Sequence, residues 1–151
     1  NSKLPNEGIS IFTKMSQLAA EYGAVNLSQG FPNFETDARL HELVNRAMRK
    51  GFNQYAPLAG IPELREQIVG KIENLQGKTY DVDTEVCVTN GATHALFLAI
   101  TAFVTPGDEV IIPTPYWVSY SEMVKLADGE SVFIDTTIES DFKITAEELP
   151  R

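Results

Sequence analysis

EVCVTNGATHALFLAITAFVTPGDEVIIPTPYW, residues 85–117, is the stretch whose reading decides the fold. Residues 85–89 are short and rich in β-branched side chains, which predicts a strand, and Asn90-Gly91 predicts a tight turn out of it. Residues 93–104 are apolar, with Leu96, Leu98, Ile100 and Phe103 spread over more than one side, the pattern of a helix buried all round. Pro106-Gly107 turns the chain again, and residues 109–112 predict a second, buried strand. A helix over 117–127, closed by Gly129, then leads to a third strand at 131–135 (SVFID). Strand, helix, strand, helix, strand with short links makes two successive βαβ units, so the fold class is α/β with parallel strands and right-handed crossovers.

Upstream the period changes from 2 to 3.6. Ile11, Met15, Leu18 and Ala19 form the stripe of a helix over 9–22 that Gly23 ends. A polar, glycine-bearing loop, NLSQGFP, covers 26–32. Leu40, Leu43, Val44 and Ala47 mark a helix over 37–50, capped by Thr36 or Asp37 and stopped by Gly51. A third helix carries Ile61, Leu64, Ile68, Ile72 and Leu75, has Pro62 in its first turn and ends at Gly77. Near the other end, TAEE at 145–148 reads as a capping box that opens a helix. A helix with so few residues after its box does not offset its nucleation cost, and three parallel strands expose an apolar sheet edge. Both features predict the front portion of something longer.

Composition narrows the function. The 151 residues are 43% hydrophobic, enough for a core and too apolar for a disordered chain. Twelve Lys and Arg against 21 Asp and Glu give a net charge of −9, which repels phosphate backbones and anionic lipid heads. Neither nucleic acid nor a membrane surface is therefore an expected partner, and no apolar run approaches the roughly 20 residues of a spanning helix. The single cysteine, Cys87, alternates with Val86 and Val88, so it is expected as a buried, inert thiol in a reducing, cytoplasmic setting.

Three stretches can carry chemistry. Asn90-Gly91-Ala92-Thr93 puts small residues where a strand enters a helix, so backbone amides and the helix N-terminus can cradle an anion, with the Thr93 hydroxyl as a further donor. It has neither GxxxxGK[ST] nor GxGxxG, and local sequence alone favours an ordinary βα turn with an N-cap. Residues 113–120, PTPYWVSY, follow a parallel strand at the end where open α/β sheets bind ligands. Trp117 there can stack on a planar ligand or simply fill the core. Tyr55, in the rigid loop of NQYAPLAGIPELR (53–65), can hydrogen-bond a ligand or a partner subunit. His41 and His94 lack the spacing of a metal site, so no metal is expected. No GxSxG or HExxH pattern occurs, and the lysines fall on loops or polar helix faces, away from the apolar setting that imine chemistry favours.

Taken in order, these motifs resemble the N-terminal part of fold-type-I pyridoxal-phosphate aminotransferases of the class I/II group. NLSQGFPNF and NQYAPLAGIPELR are similar to the methionine and kynurenine branch. PYWVSYSEMVKLADG and SVFIDTTIESDFKIT are closer to aspartate aminotransferases. The resemblance implies part of a three-layer αβα large domain, preceded by an N-terminal helical arm. It divides the chain into an arm with a substrate-side loop (1–35) and the start of the cofactor-binding large domain (36–151).

The resemblance also implies roles. Gly91, Ala92 and Thr93 match the phosphate-binding turn, and Trp117 the aromatic that stacks on the pyridine ring. Tyr55 matches the tyrosine that reaches the cofactor phosphate of the neighbouring subunit, which implies a homodimer with shared sites. Gly30 matches the substrate-side glycine loop and Phe12 a side-chain pocket residue. The implied cofactor is pyridoxal 5'-phosphate, and the implied substrates are an amino acid (methionine, aromatic or aspartate type) and a 2-oxo acid. The family's Schiff-base lysine, its carboxylate-binding arginine and its NPxNP segment have no counterpart in these 151 residues, so no catalytic residue is assigned and this chain alone is expected to be inactive. Two alternatives share the motifs: a carbon–sulfur lyase of the same fold type, and a non-catalytic dimerisation or binding fragment.

Overall fold

The computed structural model describes residues 2–5, 8–30 and 32–149. Among them the elements run α1 (Ile11–Glu21), α2 (Ala38–Arg49), α3 (Pro62–Gln76), α4 (Ala92–Phe103), β1 (Glu109–Thr114), α5 (Ser119–Leu126) and β2 (Glu130–Asp135). Two compact units divide them: Glu7–Ile61 carries α1 and α2, and Asn1–Asn6 with Pro62–Arg151 carries the rest.

In the first of these units the helix starts follow from their caps. Ser10 Oγ accepts the Thr13 N–H at 3.3 Å and opens α1. Asp37, rather than Thr36, caps α2, its Oδ1 accepting the Arg39 N–H at 2.9 Å. The Arg39 side chain folds back on the same carboxylate at 2.6 Å and, with that amide, holds Asp37 below its usual pKa. The apolar stripes lie where periodicity puts them, but Ile11, Met15, Leu40, Leu43 and Val44 are all exposed.

The α/β unit is built around one βαβ. β1 and β2 pair in parallel, from Glu109 opposite Glu130 to Thr114 opposite Asp135, with α5 as the crossover. Ile112 and Ile134 turn inward from the two strands, while Met123 and the fully buried Val124 face them from α5. Burial of such side chains contributes roughly 1.5–3 kcal/mol each. α4 packs on α5, and α5 on both strands. Gly129 makes the entry to β2 possible. A Cβ there would lie 2.5 Å from Val104 Cγ1, so no larger residue lets α4, α5 and β2 converge.

Four expectations change. Residues 85–89 are not a strand, because no neighbouring strand offers a ladder among the described residues; the chain there has a bend at Glu85 and no regular secondary structure after it. Period-2 alternation survives, with Val86 and Val88 half-buried, but it turns Cys87 outward, so the thiol is exposed rather than buried. α4 has no buried residue, and Phe103 is 83% exposed, so its all-round apolarity is not matched by cover on all sides. TAEE forms only a turn. Glu148 Oε2 accepts the Thr145 N–H at 2.7 Å, which is one half of a capping box with no helix behind it.

Segment 81–85 is instead a side-chain-built turn. Asp81 Oδ1 accepts from the Thr84 hydroxyl (2.7 Å) and from the Thr84 and Asp83 amides (2.8 and 3.0 Å), which lowers the pKa of its carboxyl group. The buried Arg65 of α3 reaches across to it. Its Nη1 donates to the Val82 carbonyl at 2.5 Å and its Nη2 lies 3.5 Å from Asp83.

Candidate functional site

The start of α4 is fastened on one side and open on the other. Gly91 is the N-cap, at φ 85° and ψ 169°, a conformation that is almost confined to glycine. Its N–H donates to the Thr89 carbonyl at 2.9 Å, and the Thr89 hydroxyl donates to the Gly91 carbonyl at 3.1 Å. The Asn90 N–H donates to His94 Nδ1 at 3.3 Å. These three donors are thus turned back on the turn and the helix start.

After Gly91 the situation reverses. The first intrahelical bond is Ala95 N–H to Gly91 O, and no side chain caps the helix. The amides of Ala92, Thr93 and His94 precede that bond, on an exposed stretch at the positive end of the helix dipole. A phosphate monoester, dianionic and rich in acceptors, fits this donor set. An ordinary turn with a side-chain N-cap, the other reading of this sequence, would fill these amides itself.

Trp117 sits beyond β1, after the cis Thr114–Pro115 bond, two residues before α5. Its neighbour Tyr116 stacks on Phe133 of β2 (centroids 5.2 Å apart, planes at 24°) and its hydroxyl lies 3.4 Å from the buried Ser121 Oγ. Asp135 Oδ1 accepts the Thr114 hydroxyl at 2.8 Å, and the Thr136 amide and hydroxyl both donate to the Thr114 carbonyl. The segment leading to Trp117 is therefore fixed at both sides, yet Trp117 itself is 47% exposed. Within this unit a face of its ring is therefore open. Trp117 and the α4 turn belong to the same unit, linked through the packing of α4 on α5.

Tyr55, Gly30 and Phe12 belong to the other unit and are placed only within it. Tyr55 is fully exposed. Gly30 is exposed two residues after a turn in which Asn26 Oδ1 accepts from Ser28 and Asn26 Nδ2 donates to Ser16 of α1. Phe12 is half-buried in the first turn of α1. No group of three or more His, Cys, Asp or Glu side chains able to hold a metal occurs among the described residues. Nor is any of their helices long and apolar enough to cross a membrane.

Sequence reasoning weighed His94 only as a metal ligand and passed over Arg65. The signal for His94 was its place as the third helical residue after a glycine N-cap, from which a side chain reaches back. Arg65 carried no signal, since a helical arginine is ordinarily solvated.

Residues 22–151 match the family described as aminotransferase class I and II. The chain is 48% identical over 128 residues to a methionine aminotransferase of Escherichia coli, covering 85% of this chain and 33% of that protein. It is 41% identical over 149 residues to an aspartate aminotransferase of Geobacillus stearothermophilus, covering 98% and 38%. Among solved structures, an Escherichia coli protein identified as a methionine aminotransferase superposes with a TM-score of 0.91 at 43% identity, over 98% of this chain and 38% of that one. The aspartate aminotransferase of Rhizobium meliloti gives 0.87 at 37% identity, again over 98% and 38%. The chain thus spans about a third of the length of the relatives it matches.

Proposed function

This chain belongs to the class I and II aminotransferases, a pyridoxal-phosphate-dependent family, and we propose that the whole protein moves an amino group from an amino acid to a 2-oxo acid. The observation that carries the reading is the start of α4, fixed by its own turn and left uncapped by any side chain. Bound pyridoxal phosphate supplies an electron sink for negative charge developing on the substrate. The amides of Ala92 and Thr93, with the Thr93 hydroxyl, bind the phosphate end, and Gly91 gives them close approach. Trp117 would supply a stacking surface for the ring and shield it from water. Gly30 and Phe12 face the substrate, and a methionine-, aromatic- or aspartate-type amino acid is the donor.

Tyr55 reaches the cofactor phosphate of a neighbouring subunit, so the functional form is a homodimer with shared sites. Its complete exposure within its own unit supports that role. Residues 1–35 serve as arm and substrate-side loop, and 36–151 open the cofactor-binding domain. The one cysteine among these 151 residues supports a cytoplasmic setting.

The test is Trp117→Ala in the whole protein. A ring contact of this kind contributes about 1 kcal/mol beyond its area burial, so pyridoxal-phosphate affinity should fall at least severalfold. Unchanged affinity refutes the assignment. A dimer by sedimentation, with weaker cofactor retention in Tyr55→Phe, supports the shared site; a monomer that retains cofactor overturns it.

A further inference from the structure

We infer that His94 is a positioning residue of the phosphate cradle, a role that rests on the function proposed above. The geometry is a one-sided capping box. In the usual box an N-cap side chain fills an amide of the first turn, while the third helical residue reaches back to the N-cap amide. Here the N-cap is Gly91, which has no side chain to spend on the first turn. His94, the third helical residue, still reaches back, but one residue further, to the Asn90 N–H at 3.3 Å. The outcome is a helix start held in place with its own amides unfilled.

That bond is needed because of the glycine. Gly91 makes φ 85° accessible but does not enforce it, since glycine populates both signs of φ about equally. Rotation of the peptide between Asn90 and Gly91 would re-aim the amides that follow. Gly91 N–H to Thr89 O holds that peptide itself, and the peptides on either side of it are held by Asn90 N–H to His94 Nδ1 and by Thr89 Oγ1 to Gly91 O. His94 is the one helical side chain among these partners, so it adds a second tie between turn and helix beside the Ala95 N–H to Gly91 O bond. Accepting at Nδ1 requires the neutral ring with its proton on Nε2. His94 touches no reacting atom; it acts through the turn.

The test uses the whole protein with His94→Ala and His94→Asn, titrated with pyridoxal phosphate and with unphosphorylated pyridoxal. Loss of one neutral hydrogen bond should weaken pyridoxal-phosphate affinity about threefold to tenfold in H94A. Pyridoxal affinity should stay put, so the ratio of the two changes. H94N, whose Oδ1 can stand in for Nδ1 as acceptor, should recover most of the loss. Nitrogen-15 shifts of the parent should place the proton on Nε2. A parent-like ratio in H94A, an equal loss of both ligands, or a proton on Nδ1 overturns the role of His94 while leaving the proposed function standing. Failure of the parent to bind pyridoxal phosphate at all overturns both.

Discussion

Replacing Gly91 by alanine isolates what the open helix start contributes. At φ 85° and ψ 169° an L side chain costs about 1–3 kcal/mol. An added Cβ would meet nothing within 4 Å, so no clash adds to that cost and all of it is backbone strain. Residues 90–94 are exposed, which lets the unliganded turn of the Gly91→Ala variant relax to negative φ without unfolding the unit. The strain then reappears when phosphate must be held. At about 1.4 kcal/mol per decade, pyridoxal-phosphate affinity of the whole protein should fall by roughly 5- to 150-fold, with little change in the unfolding temperature of the cofactor-free form. Gly107→Ala is the matched control: φ is 92°, nothing lies within 4 Å of its Cβ, and it sits in the same unit away from the α4 start. It should leave the ratio of pyridoxal-phosphate to pyridoxal affinity untouched. Parent-like phosphate affinity in G91A, or an equal change of ratio in both variants, refutes the reasoning.

Three further outcomes follow from packing and charge. Gly129→Ala forces its Cβ to within 2.5 Å of Val104 Cγ1 and 3.3 Å of the Asp108 carbonyl, so stability should drop by about 1–3 kcal/mol, read as a lower urea midpoint. Arg65→Met leaves the Val82 carbonyl unpaired beside a buried side chain and should cost about 1–3 kcal/mol in the same assay. Arg65→Lys should recover only part, because a point charge cannot span both Val82 and Asp83. Asp81 has its native pKa lowered first by the Thr84 hydroxyl and then by the Thr84 amide. Its stabilisation is therefore present above the unfolded-state pKa of about 3.9 and disappears as pH falls through the lower native value. Asp81→Asn should be less stable than the parent at pH 7, with the gap closing in acid; a gap independent of pH would show that the carboxylate charge is not what holds the turn.

The fold was legible wherever a local signal and its tertiary consequence coincide. Asp37, Gly23, Gly51 and Gly77 bounded three helices because caps and C-terminal glycines act within one turn of chain; the Ser10 cap of α1 was missed, and that helix starts two residues later than expected. β1 and β2 were readable because α5 brings them together within one short crossover. Residues 85–89 failed for the opposite reason. Their composition suits a strand, but a strand exists only with a neighbour to share its amides, and composition carries no information about that neighbour. The same holds for α4, whose sequence records how apolar its surroundings can be and not which surroundings are there.

The candidate site was legible only in outline because it is made of backbone. A P-loop announces itself with a lysine and a patterned set of glycines; in the proposed cradle recognition would fall to the backbone amides of Ala92 and Thr93, which any residue type supplies. Gly91 was visible as a turn former, since positive φ selects for glycine. Nothing in Asn90-Gly91-Ala92-Thr93 alone separates a turn that caps itself from one that stays open. The separating residue is His94, and it is readable only once the helix start is known to within one position, because a shift of one residue moves its imidazole away from the Asn90 amide. In the proposed cradle, turn, cap and phosphate affinity are therefore a single property. A substitution that closes the helix start with its own side chain should improve the helix and empty the cradle together. For that reason a stabilising N-cap at position 91, such as Gly91→Asp, should raise the cost of holding phosphate by more than the strain that Gly91→Ala imposes, through both the filled amide and the added negative charge.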